Sequence, residues 1–117
     1  MKNVRVILSN EAKEVYDYLN KLAKISKKEK SLLKAVNYKI DLIKNNFQYG
    51  DPIGKDLIPE EYQKRYGIKN LFRVELPDFW RMLYSVGDDS SNIEIVAFVL
   101  DIIDHPTYNK KFGYRKN

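Results

Sequence analysis

The chain contains one histidine, His105, which comes shortly after its most apolar stretch. From His105 to the last residue, Asn117, no side chain is acidic. Histidine gives or takes a proton around neutral pH, so it suits acid–base chemistry on a phosphodiester. A lone histidine is also a common structural residue. The segment is therefore either a solvated terminus or one wall of a site that handles phosphate.

Aromatic rings alternate with cations in the segment after His105. Rings stack on unpaired bases while lysine and arginine hold the phosphates, which is the usual chemistry of single-stranded RNA binding. The alternative is that Phe112 and Tyr114 fold back onto the core, and we expect at least one of them to do so. The candidate RNA-binding residues of this segment are Tyr108, Lys110, Lys111 and Arg115.

Arg81 lies in the middle of the segment FWRMLYSV, which is predicted to be a strand with Phe79, Arg81 and Leu83 on one face. An arginine at such a position needs a partner, because an unpaired buried charge is costly. One candidate partner is a carboxylate of a neighbouring strand, Glu75 or Glu94. The other is a phosphate, since the planar guanidinium can bind two of its oxygens.

Several classes of function have no support in the sequence. With one histidine and no cysteine, a multi-histidine or thiolate metal site is excluded, and no glycine-rich nucleotide-binding motif or nucleophile elbow is present. We therefore expect no metal and no cofactor. No apolar run is long enough to span a bilayer, so no membrane association is expected, and the absence of cysteine favours a cytoplasmic location. The net charge of +5 favours polyanionic partners.

Periodicity predicts the elements that position these residues. VRVILS alternates as a strand does, and two amphipathic helices follow, separated at the capping-box sequence SKKE. The loop QYGDPIGKDLIP and a helical turn in PEEYQKRYG come next. Three strands close the pattern, in LFRVEL, FWRMLYSV and IEIVAFVLDII, with the polar turn GDDSSN before the last. The last of the three is nearly continuous in apolar residues, as a central strand covered on both faces would be.

This order predicts an α+β fold. An N-terminal strand and a helical hairpin precede a three-stranded antiparallel meander, and together the strands form one sheet with the helices on one face. The other face is predicted to be partly open and followed by a basic tail. A site built from Arg81 and the tail would lie on that open face.

At this point the sequence resembles the RelE/ParE superfamily of toxins from toxin–antitoxin pairs. LFRVELPDFWRMLYSV is similar to the family's central hairpin, where an arginine precedes an apolar-apolar-tyrosine run. EIVAFVLDIIDHPTY is similar to its closing strand and trailing segment, and GDPIGKDL resembles the loop before the hairpin. The resemblance implies a single RelE-like domain over residues 1–117.

The RelE branch implies a specific activity. Its members are ribosome-dependent endoribonucleases that cut messenger RNA without a metal, by attack of the 2′-hydroxyl on its own phosphate. Carried over by position, the resemblance implies that Arg81 stabilises the phosphate, His105 acts as acid or base, and Tyr108 stacks on a base or orients the site. Arg73 of the preceding strand is a further candidate phosphate ligand. The implied partners are messenger RNA, the ribosome and a cognate antitoxin with an acidic segment.

Two rival hypotheses stay open at the level of sequence. ParE-type members inhibit DNA gyrase and cut nothing, and other members bind RNA or antitoxin without toxicity. Arg73 is flanked here by Glu75, whereas RelE itself carries several basic residues on that strand. The histidine, tyrosine and lysines after the last strand favour the nuclease branch.

Overall fold

The computed structural model describes residues 3–88 and 94–113, which form one mixed sheet packed against α-helices. The α+β class predicted from the sequence is confirmed. None of the helices within these ranges is long and apolar enough to cross a membrane. In chain order the elements are β1 (Asn3–Leu8), α1 (Asn10–Leu22), α2 (Lys27–Asn45), β2 (Asp51–Pro52), α3 (Glu60–Tyr66), β3 (Phe72–Glu75), β4 (Arg81–Asp88), β5 (Glu94–Ile103) and α4 (His105–Phe112).

The sheet has five strands in the order β1-β5-β4-β3-β2. The antiparallel meander β3-β4-β5 is as predicted, and β1 pairs with β5 in parallel. The two-residue β2 pairs with β3 at the far edge. The apolar β5 therefore lies between β1 and β4, with a cluster of buried side chains on each of its faces.

The helical hairpin α1–α2 covers what we call the first face of the sheet. Ser9 is the N-cap residue of α1. Its hydroxyl accepts from the Ala12 amide at 3.0 Å and donates to the Leu100 carbonyl oxygen at 2.6 Å. One serine thus both caps the helix and fixes it to β5. The sequence spacing predicts one apolar stripe along α1, formed by Ala12, Val15, Leu19, Leu22 and Ile25. Its last member is wrong, because Ile25 lies beyond the helix with 83% of its surface exposed.

The opposite, second face is partly covered by α3 and α4, whose Tyr62 and Tyr108 pack on Leu83, Leu100 and Ile103. The sequence predicted helices on one face only, with a basic tail after β5. The tail instead begins as a helix, because Asp104 caps it by accepting from the Thr107 amide at 3.0 Å and Pro106 fits its first turn. Gly113 ends it with φ of 73°.

A β-bulge in β5 changes which side chains reach the second face. Leu83 pairs with Asp101 and Tyr84 pairs with Val99, so Leu100 has no partner of its own on β4. Strict alternation from Val99 would aim Asp101 at the first face. The extra residue lets both Leu100 and Asp101 reach the second face, where Asp101 binds Tyr62.

The strand predicted in FWRMLYSV begins at Arg81 rather than at Phe79, so the prediction that Phe79 shares a strand face with Arg81 is wrong. Pro77, Asp78 and Phe79 form a tight turn between β3 and β4. Most of the predicted turn GDDSSN lies outside the described residues, as do Tyr114 and Arg115.

Candidate functional site

Arg81 lies at the start of β4 on the second face, where the contacts that it makes with other described residues are with neutral groups. Its Nη1 is 3.2 Å from the Phe79 carbonyl oxygen and 2.9 Å from Nδ1 of His105, and its guanidinium carbon is 4.6 Å from the centre of the Tyr108 ring. The expected ion pair to Glu75 or Glu94 does not form within the described residues, where Glu94 instead pairs with Arg5. The positive charge of Arg81 is thus held in place without being neutralised.

The Nε atom of Arg81 is buried and has no hydrogen-bond partner in the described part of the chain. A buried donor without a partner is costly, and such groups are concentrated where a ligand completes the site. A half-buried guanidinium with a spare donor and no carboxylate is suited to binding an oxyanion.

His105, the first residue of α4, is in contact with Arg81 through one ring nitrogen and with Asn109 through the other. Nδ1 lies 2.9 Å from Arg81 Nη1, and Nε2 lies 3.1 Å from the atom placed as the amide nitrogen Nδ2 of Asn109. Because arginine only donates, Nδ1 must accept and carries no hydrogen. The hydrogen of the neutral ring is therefore on Nε2, and the Asn109 amide must turn its oxygen toward it. His105 is thus exposed, oriented and in the form that can take up a proton.

Arg73 of β3 reaches the same region from the neighbouring strand. Its Nη1 donates to the Tyr108 hydroxyl at 3.2 Å, and its Nη2 is 3.8 Å from a carboxylate oxygen of the exposed Asp51. The hydrogen bond to Tyr108 raises the pKa of the guanidinium, so Arg73 stays charged. Its Nε, like that of Arg81, is buried without a partner in the described ranges.

Tyr108 lies beneath both arginines and is only 2% exposed. Its ring stacks on Phe112 with centroids 4.3 Å apart, which confirms that Phe112 folds back onto the core. Of the two roles that the resemblance implied for Tyr108, stacking on a base needs an exposed ring face. Orienting the site fits the observed position, so we treat Tyr108 as a positioning residue.

The turn before Arg81 is the part of the site that sequence reasoning missed. Asp78 and Phe79 both have positive φ, 58° and 62°, a conformation that costs a residue other than glycine about 1–2 kcal/mol. The Phe79 ring is 73% exposed and lies 5.9 Å from the His105 ring, centre to centre. A hollow of about 390 Å³ opens beside it, lined by Glu75, Leu76, Asp78, Phe79, Trp80 and Arg81.

The two lysines predicted to bind RNA face away from this cluster, toward α3. Lys111 Nζ lies 3.2 Å from Glu61 and 3.7 Å from Asp101, so its charge is already paired. Lys110 is exposed and lines a separate hollow with Glu60 and Thr107. The predicted ligand Arg115 lies outside the described residues. The structure therefore brings together Arg73, Arg81, His105 and Tyr108, and it does not bring either lysine to them.

Asn109 was also missed, although its signal was present in the sequence. It lies four residues after His105, a spacing that brings two side chains together only on a helix. Because the segment was predicted to be a tail and not a helix, the spacing did not indicate a contact between His105 and Asn109. Within the described ranges no group of three or more histidine, aspartate or glutamate side chains is placed to hold a metal ion.

Comparisons with family models, with curated proteins and with solved structures found no match to this chain. The class of protein therefore follows from the fold and the site alone. The chain is a small α+β domain in which two arginines and a histidine converge on a partly open sheet face.

Proposed function

We propose that this protein is a RelE-like endoribonuclease that cuts messenger RNA on the ribosome by attack of the 2′-hydroxyl on the adjacent phosphate, without a metal. The observation that carries the proposal is Arg81, whose charge no carboxylate of the described residues neutralises and whose neighbour is an acceptor-form histidine. An RNA phosphate is a ligand that would satisfy the charge and the spare donor of Arg81 beside His105.

His105 and the two arginines have different roles in the proposed reaction. His105 takes the proton of the 2′-hydroxyl at Nδ1, once the bound phosphate has drawn Arg81 Nη1 away from that nitrogen, and the 2′-oxygen attacks phosphorus to form a pentacoordinate phosphorane. Arg81 and Arg73 stabilise the extra negative charge on the phosphoryl oxygens. The bond to the 5′-oxygen then breaks, that oxygen takes a proton from solvent, and a 2′,3′-cyclic phosphate remains.

Phosphate binding would also free His105 for this role. Arg81 Nη1 is shared between the Phe79 carbonyl oxygen and His105 Nδ1. The anionic phosphodiester of the bound RNA competes for the same nitrogen, because its oxygens carry a negative charge and pair with the guanidinium more strongly than a neutral imidazole does. Binding of the substrate would therefore free Nδ1 of His105, the nitrogen that takes the 2′-hydroxyl proton.

The resemblance extends the proposal to the partners. A toxin of this kind is paired with an antitoxin, and the net charge of +5 suits both an acidic antitoxin segment and ribosomal RNA. The toxin–antitoxin pairing is part of the proposal and is tested by whether co-expression of a small acidic neighbouring gene product abolishes growth inhibition.

The decisive experiment maps 5′ ends of a defined message in a translating extract. We expect Arg81→Ala to lower the cleavage rate about 100- to 1000-fold, the effect of removing one oxyanion ligand, and Arg81→Lys to retain part of the rate because it keeps the charge. Arg5→Ala is the matched control, since Arg5 is an exposed arginine on the edge strand β1, which β5 separates from β4.

The possible outcomes of this experiment separate the nuclease from the alternatives. Cuts that require ribosomes, are lost in Arg81→Ala, are partly retained in Arg81→Lys and persist in Arg5→Ala support the nuclease. An uncut message with folded wild-type protein rejects it, and inhibition of DNA supercoiling would then favour the gyrase-directed alternative.

A further inference from the structure

The backbone of the β3–β4 turn is unusual for the residues that it contains. A turn with two successive residues of positive φ strongly prefers asparagine or aspartate followed by glycine. Here Asp78 meets the first preference, but Phe79 stands where glycine is favoured. A bulky residue with positive φ is an outlier that persists only where the surrounding structure imposes it.

The fold gains little from the Phe79 ring in return for this strain. Among the described residues Phe79 is the most exposed aromatic side chain, at 73%. Its ring joins neither buried cluster of the sheet. Strain of this kind at an exposed side chain indicates a role in binding rather than in folding.

The position of Phe79 relates it directly to the site. Its carbonyl oxygen accepts from Arg81 Nη1 at 3.2 Å, its ring is 5.9 Å from that of His105, and the hollow of about 390 Å³ opens between Phe79 and Arg81. An exposed aromatic face next to a phosphate-binding cation is the pairing by which proteins hold single-stranded nucleic acid.

We infer that Phe79 is the base-stacking platform of this site, which holds the nucleobase next to the phosphate bound by Arg81. The left-handed turn holds the ring outward, and the hydrogen bond from Arg81 to the Phe79 carbonyl fixes the distance between platform and phosphate ligand. Trp80 also lines the hollow. This inference rests on the proposed function, since it names the residue that holds the RNA there.

The test uses the opposite effects that Phe79→Gly should have on stability and on binding. Glycine relieves the positive φ, so we expect the melting temperature to rise by about 2–5 °C. The same change removes the ring, so affinity for a fluorescein-labelled, 2′-O-methylated single-stranded oligonucleotide should fall about 10-fold, as for loss of one stacked base. Phe79→Trp keeps an aromatic face and should bind within about 2-fold of wild type.

An abasic residue moved along the oligonucleotide identifies the stacked base. At one position it should weaken binding to wild type about 10-fold and leave Phe79→Gly unaffected, because the ring then has nothing to contact. Tyr18→Ala is the matched control, since Tyr18 is an exposed aromatic residue of α1, in the hairpin that covers the first face.

The same variants in the translating extract separate the two proposals. If wild-type protein cuts the message and Phe79→Gly binds and cuts equally well, the platform is rejected and the nuclease stands. If the oligonucleotide binds through Phe79 but no message is cut, the platform stands and the nuclease is rejected. If wild-type protein does not bind the oligonucleotide, the platform is rejected.

Discussion

At the scale of single residues, one buried ring positions both arginines of the site. The Tyr108 hydroxyl accepts from Arg73, the face of its ring lies under Arg81, and Phe112 stacks against it. Two like charges on neighbouring strands repel each other, so their arrangement depends on this shared neutral support. Tyr108 can therefore matter for activity without touching RNA.

Removing only the hydroxyl tests this role. Tyr108→Phe keeps the ring under Arg81 but takes away the acceptor of Arg73, so we expect a loss of about 1 kcal/mol in the free energy of unfolding, measured in urea. Cleavage should fall moderately, by about 10-fold, because Arg81 keeps its place. Tyr18→Phe, at an exposed site, should change neither quantity, and equal losses in the two variants would contradict the role given to Tyr108.

The residues of the site differ in how far sequence predicts them. Residue chemistry was enough to select Arg81 and His105, since an unpaired arginine within a strand and a lone histidine are both unusual. Their roles stay predictions. The strain at Phe79 could not be predicted, because phenylalanine at that position reads as an ordinary strand residue. The positive φ of Phe79 is seen only in the three-dimensional structure of the turn.

At the scale of elements, α4 delivers His105, Tyr108 and Asn109 to the site, and Asp104 decides that it is a helix. The side chain of Asp104 caps the first turn, and hydrogen bonds from Thr107 lower the pKa of its carboxyl. The negative charge also interacts favourably with the positive end of the helix dipole.

Two substitutions at Asp104 separate the cap from the charge. Asp104→Ala removes the cap, so we expect a loss of about 1 kcal/mol in unfolding free energy and a large loss of cleavage, because His105 is the next residue. Asp104→Asn keeps the cap and should keep most of both quantities at neutral pH.

The pH dependence of the Asp104 variants has a defined sign. A lowered folded-state pKa means that the charge stabilises the fold above the ordinary value of 3.8, and that this stability is lost as the pH falls through the folded value. The gap between wild type and Asp104→Asn should therefore close in acid. A constant gap across that range would show that the charge contributes nothing.

The elements themselves were largely predictable, because period and caps are local properties. Apolar spacing predicted the hairpin α1–α2, alternation predicted β1 and β3, and a nearly continuous apolar run predicted β5. The bulge in β5 was not a local property. The bulge at Leu100 depends on how β5 pairs with β4, and a slip of one residue changes the face of everything after it. Since Asp101 and Ile103 lie beyond the bulge, counting from Val99 could not predict their face.

At the scale of the whole molecule, a buried polar joint connects the second-face helices to the sheet. Asp101 of β5 accepts from the Tyr62 hydroxyl of α3 at 2.5 Å and lies 3.7 Å from Lys111 of α4. Burial raises the pKa of Asp101, although the hydrogen bond from Tyr62 and the charge of Lys111 both oppose that rise. Burial and the neighbouring carboxylate also raise the pKa of Tyr62, so it remains a donor. The joint thus sets where α4 lies relative to β4.

A raised acid pKa makes this joint a source of pH-dependent stability. Between the ordinary value of 3.8 and the higher folded value, the folded state binds more protons than the unfolded chain, so this contribution to stability falls as the pH rises. Asp101→Asn keeps the size and an acceptor for Tyr62 but cannot titrate. Its stability relative to wild type should therefore increase from acid to neutral pH, measured by urea unfolding at a series of pH values. Parallel profiles would show that Asp101 keeps its ordinary affinity for protons. If Asp101→Asn gains stability toward neutral pH and cleaves as wild type does, the hydrogen bond from Tyr62 is enough to position α4 and the charge of Asp101 is not needed. If the variant instead loses cleavage, the pairing of Asp101 with Lys111 holds His105 at Arg81.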